Sequence, residues 1–317
     1  EKPDISIVDG KLVITWTAEG ATAYYSINGS ELTLYDPNNK PNVTENDVIK
    51  AVVKKTGYHT SEEAIISPAQ HVSNTSEMGN MYAHYILDTG FTISSSIGTQ
   101  TEPFRGTIDG DLNTISGAQA ALVAYADGAT IKNVILDNVS IDNGVTVDGK
   151  ESVGSICNYA TGSSRIYNCG VLATTSTVKT DDNGYTEITS CSSTVSGDDY
   201  VGGIVGFLDG SSRVINCFSY ADITGGDYVG GIVGYNNVAT TSANLKTMVM
   251  NCMFYGDIDV TETTSRAPVY NGKIITNRSD GNGVSNFNYF WAGASYVQNQ
   301  KITEGAYNCA LAAETRF

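Results

Sequence analysis

At 317 residues, with 41% apolar and only 16% charged residues, the chain is long enough for one large domain or two ordinary ones. Its net charge of -16 at pH 7 argues against nucleic acid and anionic membrane surfaces as partners, since both would be repelled. No apolar run reaches the roughly 18 residues of a membrane-spanning helix. The 33 glycines, together with abundant Ser, Thr and Asn, favour strands and turns, so we predict an all-β protein.

Residues 1–68 differ in pattern from the rest of the chain and predict a small β-sandwich. Residues 5–16 form two alternating segments around an Asp-Gly turn, and residues 23–29 and 48–55 have the pattern of further strands. The run TAYYSINGSELT followed by DVIKAVVKKTGYHTSEEA resembles the small sandwich of chitobiase-type and fibronectin-III-associated bacterial proteins. That resemblance implies a spacer or accessory module rather than an active site.

Pro68 marks the predicted boundary, because proline interrupts strand pairing. Residues 69–118 then form a lead-in segment and N-terminal cap. Beyond it, DYVGGIVG at residues 199–206 returns at 227–234, a spacing of 28. Units this short cannot bury their apolar faces alone and must stack. Because consecutive parallel strands need right-handed crossovers, we predict a right-handed parallel β-helix over residues 119–317.

The GGIVG copies resemble the GLUG motif of bacterial surface proteins, and PFRGTIDGDLNTISG at residues 103–117 resembles the segment ahead of such repeats. GLUG repeats accompany surface proteins, including non-catalytic parts of IgA-specific metallopeptidases. The sequence contains no HExxH motif, so the resemblance does not carry peptidase activity to this chain. It implies adhesion or ligand binding at the bacterial cell surface.

Four of the six cysteines lie at equivalent repeat positions, each following an asparagine: Cys169, Cys217, Cys252 and Cys309. Equivalent positions in a stack point inward together, so we prefer buried free thiols over disulfides. We predict an internal amide ladder from Asn168, Asn216 and Asn251. Three insertions are expected to emerge as loops along one side of the solenoid, at about 174–187, 236–246 and 261–283.

Tyrosine is the candidate ligand-binding residue type, since the chain has 19 Tyr but only 8 Phe and 2 Trp. An exposed Tyr ring stacks on sugar faces while neighbouring polar groups form hydrogen bonds. Tyr200 and Tyr228 occupy equivalent repeat positions and are predicted to line a ladder. With Tyr235 and Trp291 they form our predicted ligand-binding set. The alternative for the aromatic residues at 289–296 is that they cover the last rung as core or cap.

Catalysis has one weak candidate, the pair Asp198 and Asp199, since two carboxylates can supply general acid and base for glycoside cleavage. SGDD at residues 196–199 resembles the Gly-Asp-Asp element of polygalacturonases. The other elements of that family, Asn-Thr-Asp, Gly-His-Gly and Arg-Ile-Lys, are absent. Because Gly226 and Asp227 repeat the element in the next unit, a turn explains it better.

Metal and cofactor chemistry finds no support in the sequence. The three histidines lie far from the repeated cysteines, and no Cys-x-x-Cys or His-x-x-x-His spacing occurs. Residues 109–113 superficially resemble a calcium loop but lack the downstream glutamate of an EF-hand. We therefore predict neither a metal site nor a cofactor.

Together these patterns predict a secreted, extracellular or cell-surface protein of bacterial type that binds an extracellular glycan or a host or matrix protein without catalysis. One alternative is a polysaccharide-degrading β-helix, either a hydrolase or a lyase. A second is a structural spacer of a larger surface protein. The start at Glu1 leads us to expect a processed or trimmed N-terminus. An open β-helix end exposes unpaired backbone, so we expect the native chain to continue past Phe317 or to cover that end.

Overall fold

The computed structural model describes residues 2–175, 177–180, 182, 186–237 and 247–261 and, beyond them, strands between residues 270 and 312. The described chain is built from β-strands, with one short 3-10 turn at Thr75–Glu77. Within these residues no helix is long and apolar enough to cross a bilayer. The all-β prediction is confirmed.

The first strands are β1 (Asp4–Val8), β2 (Lys11–Thr15), β3 (Thr22–Ile27), β4 (Thr33–Leu34), β5 (Ile49–Lys54) and β6 (Ala64–Ile66). β1 and β2 form an antiparallel hairpin, and the other strands form a sheet in the order β4-β3-β5-β6. The two sheets share one apolar core, in which Leu12, Ala23 and Ile49 are fully buried. This is the predicted small sandwich.

The solenoid begins with β7 (Ala69–Asn74), β8 (His84–Thr92), β9 (Thr107–Asp109), β10 (Thr114–Ser116), β11 (Val123–Asp127), β12 (Thr130–Lys132), β13 (Ile135–Asp137), β14 (Ser140–Ile141), β15 (Val145–Val147), β16 (Lys150–Gly154), β17 (Cys157–Thr161), β18 (Arg165–Tyr167) and β19 (Gly170–Leu172). It continues with β20 (Thr177–Thr180), β21 (Thr186–Ser190), β22 (Thr194–Ser196), β23 (Tyr200–Gly202), β24 (Val205–Leu208), β25 (Arg213–Ile215), β26 (Phe218–Ser219), β27 (Asp222–Gly225), β28 (Tyr228–Gly230) and β29 (Val233–Asn236). The last strands are β30 (Met248–Met250), β31 (Met253–Phe254), β32 (Ile258–Val260), β33 (Tyr270–Gly272), β34 (Ile275–Asn277), β35 (Val284–Asn286), β36 (Asn288–Trp291), β37 (Tyr296–Val297) and β38 (Cys309–Ala312).

Among the described strands, five sheets run along the solenoid axis, numbered in the order in which each rung visits them. Sheet I holds β11, β17, β24, β29 and β34; sheet II holds β7, β8, β9, β12, β18, β25, β30 and β35; sheet III holds β10, β13, β19, β26, β31, β36 and β38; sheet IV holds β14, β22, β27, β32 and β37; sheet V holds β15, β16, β23, β28 and β33. Neighbouring rungs pair in parallel, and the antiparallel hairpin β15–β16 extends the edge of sheet V. The fold is the predicted parallel β-helix.

The sequence repeat of 28 corresponds to one rung. Val205 pairs with Val233, 28 residues later, whereas Cys157 pairs with Val205, 48 residues later. The longer spacing includes the hairpin β20–β21, which is inserted between sheets III and IV. The lumen is filled by a stack of fully buried aliphatic side chains, among them Val201, Val205, Val214, Val229 and Val233.

The insertions do not lie along one side, and that prediction is wrong. Hairpin β20–β21 joins sheets III and IV, whereas the insertion at 236–246 falls between β29 of sheet I and β30 of sheet II. The insertion at 261–283 spans two corners, one between β32 and β33 and one between β34 and β35. The described strands that flank the insertions therefore lie at different corners of the solenoid, and most of the inserted residues lie outside the described part.

The cysteine prediction is confirmed for the described positions. Cys169, Cys217 and Cys252 are buried and free, and each thiol lies within hydrogen-bonding distance of a backbone carbonyl of the neighbouring rung. Burial also raises the pKa of the Cys157 thiol, on sheet I, to about 12. The side chain of Cys309 lies outside the described residues.

The predicted asparagine ladder exists, but it lies on the surface and not in the lumen. Asn216 donates from Nδ2 to Asn168 Oδ1 at 3.2 Å and accepts at Oδ1 from Asn251 Nδ2 at 2.7 Å. All three residues are exposed and have φ between 51° and 55°. Each directly follows a strand of sheet II and lies in the left-handed region, a conformation that asparagine tolerates better than most residues.

The N-terminal sandwich packs against the start of the solenoid. Val48 of the sandwich belongs to the solenoid core, and Asn80 donates from Nδ2 to Asn28 Oδ1 at 2.8 Å. Gly29 is covered by the Tyr82 ring, whose carbon atoms would lie 1.9 to 2.4 Å from a Cβ at that position. The absence of a side chain at Gly29 therefore permits this contact.

The repeated glycines permit close backbone approach at the corner between sheets V and I. A Cβ on Gly202 would lie 2.1 Å from the Val205 carbonyl oxygen and 2.5 Å from Gly234 N.

We predict that Gly202→Ala lowers the free energy of unfolding by about 1–3 kcal/mol, because the backbone atoms around it cannot move away. The matched control is Gly79→Ala, since a Cβ there meets nothing within 4 Å. Urea unfolding of the two variants tests this, and equal stabilities would contradict the packing argument.

Candidate functional site

The outer face of sheet I carries an aromatic side chain on each of four successive rungs. These residues stand in register on four neighbouring strands: Tyr125, Tyr159, Phe207 and Tyr235. Successive ring centroids lie 5.8, 5.3 and 4.9 Å apart, within the range in which aromatic rings attract each other. Parallel stacking of equivalent positions therefore produces an aromatic ladder on the outside of the solenoid.

A second aromatic row, on sheet V, meets this ladder at the corner between the two sheets. Tyr200 and Tyr228 pair in register, and their ring centroids lie 5.2 Å apart. The Tyr200 ring lies 5.0 Å from Phe207 and 4.9 Å from Tyr235. We call Tyr159, Tyr200, Phe207, Tyr228 and Tyr235 the aromatic cluster.

Burial in the aromatic cluster corrects two members of the predicted ligand-binding set, Tyr200 and Tyr235. Tyr200 is only 7% exposed and Tyr235 only 8%, so neither offers a free face for a sugar ring, and Tyr228 is half-buried. These rings pack against each other and against the hairpin β15–β16, whose Val147 is buried with them. Trp291 lies in β36 on sheet III, away from sheets I and V, and its side chain is outside the described residues.

Lys150, at the start of β16, forms ion pairs with two carboxylates beside the aromatic cluster. Its Nζ lies 3.0 Å from Asp199 Oδ1 and also contacts Asp227 Oδ2, and it stands 5.5 and 5.3 Å from the ring centroids of Tyr200 and Tyr228. Burial opposes the charged ammonium, but the hydrogen bonds donated to Asp227 and Asp199 outweigh it and raise the pKa of Lys150. This lysine therefore ties the hairpin to two successive rungs.

The aspartates proposed as a catalytic pair have structural partners in the described structure. Asp199 accepts from Lys150 and, at 2.9 Å, from the backbone N–H of Glu151. The Asp198 N–H donates to Glu151 Oε2 at 2.9 Å, and its carbonyl accepts from Gly226 N. Asp198 and Asp199 are consecutive in the turn before β23 and do not face each other across a groove, which agrees with the interpretation as a repeat turn.

A cleft opens at the rung formed by β11–β16, which we call the first rung because β11 is the first strand of sheet I; here no tyrosine of sheet V covers the aromatic ladder. Its volume is about 240 Å³, and its lining includes Gln100, Arg105, Tyr125, Asp127, Thr146 and Tyr159. The rings of Tyr125 and Tyr159 are half-buried, and the Tyr125 hydroxyl donates to the Thr146 carbonyl of β15 at 3.1 Å. Hairpin β15–β16 thus forms one wall of the cleft and sheet I forms the other.

Hydrogen bonds to aspartates hold the polar groups of the cleft in position. Arg105 donates from Nη2 and Nε to Asp127 Oδ2 at 2.9 and 3.2 Å, and both side chains are about one third exposed. The Tyr159 hydroxyl donates to Asp209 Oδ2 at 3.0 Å. Burial, with the charge of Asp209 nearby, raises the pKa of Tyr159 to about 12, so this phenol is neutral at pH 7.

Sequence reasoning missed Tyr125, Asp127 and Tyr159, although a signal was present. The segment at 122–128 aligns with 204–210, and this alignment places Tyr125 at the position of Phe207. A row of aromatic residues at that position was therefore visible in the repeat. Arg105 had no such signal, because it precedes the first rung and reaches Asp127 only through the fold.

Comparisons with known proteins leave the function of the site open. Among the described residues, no group of His, Cys, Asp and Glu is arranged to hold a metal ion. A scan of protein-family models finds no match to this chain, and no curated protein matches it. The crystal structure of a protein described as a putative immunoglobulin A1 protease from Bacteroides ovatus is similar, with 16% sequence identity and a TM-score of 0.38, over 77% of this chain and 79% of the other. A similarity at this level supports no conclusion about activity.

We predict that Lys150→Met lowers the free energy of unfolding by about 1–2 kcal/mol, because it leaves Asp199 and Asp227 facing each other without a cation. The folded-state pKa of Lys150 is raised, so the contribution of its ion pairs to stability is fully present at neutral pH. That contribution is lost as the pH rises through the raised pKa. The stability difference from wild type should therefore shrink at strongly alkaline pH. Addition of Asp227→Asn should recover part of the loss; no recovery would contradict the charge argument.

Proposed function

We propose that this chain is a non-catalytic binding protein of the bacterial cell surface that recognises a glycan at the cleft beside β15. The observation that carries the proposal is the pairing of half-buried tyrosine rings with a partly exposed Arg105–Asp127 ion pair. A sugar ring presents apolar faces and a rim of hydroxyls, and the cleft offers a partner for each.

The hydrogen-bonding groups suit hydroxylated ligands. Asp127 uses Oδ2 for Arg105, and its Oδ1 accepts no hydrogen bond from the described residues, so the carboxylate keeps acceptor capacity for a ligand hydroxyl. Arg105 supplies donors from the same place, and Gln100 and Thr146 lie exposed at the rim. A hydroxyl both donates and accepts, so a carboxylate beside a guanidinium can engage two hydroxyls of one ring.

The size of the cleft indicates which part of a ligand it takes. At about 240 Å³ it is smaller than typical pockets for drug-sized ligands and has room for about one sugar ring. The rest of a chain would extend into solvent over the exposed hairpin, as in recognition of one residue of a longer polysaccharide. The resemblance of the repeats to bacterial surface proteins supports a location where such polysaccharides occur.

We predict that purified protein binds one or more members of an immobilised panel of glycans saturably and releases no reducing ends. Tyr125→Ala should weaken that binding about tenfold, because a stacking ring is lost. The matched control is Tyr58→Ala, which removes a tyrosine that is 72% exposed on the N-terminal sandwich. Thermal unfolding checks that both variants keep the fold.

Three results would contradict the proposal: unchanged binding by Tyr125→Ala, equal loss in Tyr58→Ala, or release of sugar ends. If sugar ends are released, Asp198→Asn with Asp199→Asn tests the enzyme alternative directly. Binding only to matrix proteins on a parallel panel would indicate that the ligand is a protein and not a glycan.

A further inference from the structure

The outer face of sheet II carries two arginines one above the other. Arg165 of β18 pairs in register with Arg213 of β25, and both side chains are exposed. Neighbouring strands in a sheet lie about 4.8 Å apart, so the two guanidinium groups share one small region. Like charges placed directly opposite each other destabilise a sheet.

No carboxylate among the described residues lies within ion-pair distance of either arginine. Three other cations of the solenoid are paired: Arg105 with Asp127, Lys132 with Asp109, and Lys150 with Asp199 and Asp227. The chain has 34 acidic and 18 basic residues, so an acidic partner would be easy to supply. Arg165 and Arg213 therefore stack without a described counter-charge in an acidic protein, and the fold alone does not explain them.

The arginines line a depression that offers donors. Its volume is about 310 Å³, and Tyr167, Ile215 and Asn216 complete most of its lining. Tyr167 is half-buried, and its hydroxyl makes no hydrogen bond within the described residues. The side-chain oxygen Oδ1 of Asn216 already accepts a hydrogen bond from Asn251 Nδ2 at 2.7 Å. The groups open to a ligand are thus two guanidinium forks, which only donate, and one phenol, which can donate.

We propose that this depression binds a tetrahedral oxyanion, the sulfate ester of a sparsely sulfated glycan. A planar carboxylate satisfies one guanidinium fork, whereas three free oxygens of a tetrahedral group can accept from both arginines and from Tyr167. The net charge of -16 repels polyanions, so a group with a single negative charge is favoured over a dianionic phosphate or a nucleic acid. The site lies on sheet II, separate from the cleft on sheet I, and the proposal does not depend on the function proposed for that cleft.

The test is titration of the whole chain with N-acetylglucosamine 6-sulfate, the unsulfated sugar and the 6-phosphate, by calorimetry at constant ionic strength. We expect saturable binding of the sulfate ester, weaker competition by inorganic sulfate because it is a dianion, and weaker binding of the other two sugars. Arg165→Gln and Arg213→Gln should each weaken sulfate binding about tenfold. Arg165→Lys keeps the charge but loses the planar fork, so it should recover only part of the affinity.

The control is Lys55→Gln, which removes one positive charge from an exposed position on the N-terminal sandwich. It should leave sulfate binding unchanged.

Each Arg→Gln variant should be at least as stable as wild type to urea, since it removes repulsion between stacked charges. A loss of stability would show that the arginines hold the fold together, and equal binding of sulfated and unsulfated sugar, or tighter binding of the phosphate ester, would overturn the proposal. Tyr125→Ala should not affect sulfate binding, which separates this result from that at the cleft.

Discussion

Stacking in register is the constraint on which the rest of this molecule depends. Each rung hydrogen-bonds to the next in parallel, so a residue sits directly above its counterpart at the spacing of neighbouring strands, about 4.8 Å. A position can then be filled only by a residue that tolerates a copy of itself as a neighbour. Valine does so in the lumen, as Val201 and Val229 show, and asparagine does so on the corner through amide hydrogen bonds. Glycine does so where one backbone approaches another.

Like charges at equivalent positions of neighbouring rungs repel each other, so charged side chains are the hardest to stack in register. Asp199 and Asp227 are equivalent in successive rungs, and Lys150 lies against both. Its hairpin departs from the regular rung and brings a cation that no repeat position supplies. Arg165 and Arg213 are the opposite case, since they stack without a described counter-charge. A row of like charges lowers the stability of a sheet, so a structural role does not explain this row.

The architecture could be read from the sequence because stacking makes equivalent residues share one environment. The repeated DYVGGIVG, the spacing of 28 and the recurrent cysteines all report that shared environment, and the β-helix and its buried thiols could be predicted from them. The asparagine ladder was predicted inside the lumen, but it lies on the outer surface of the solenoid. Its residues directly follow strands at positive φ, so they lie at exposed corners where the amides pair along the surface. Repetition revealed the ladder, but only the backbone conformation decided which way it faces.

The site was harder to predict because it lies where the repeat is interrupted. Tyr200 and Tyr228 looked like an exposed ladder, yet the corner between sheets V and I folds their rings onto Phe207 and Tyr235. One rung earlier, sheet V has no tyrosine and hairpin β15–β16 takes its place, so the ring of Tyr125 faces Thr146 across an open cleft. The same ladder is therefore core where both sheets contribute aromatics and surface where only one does. A repeat gives a rigid row of equivalent groups, and a departure from the repeat leaves the first members of that row, Tyr125 and Tyr159, beside an open cleft.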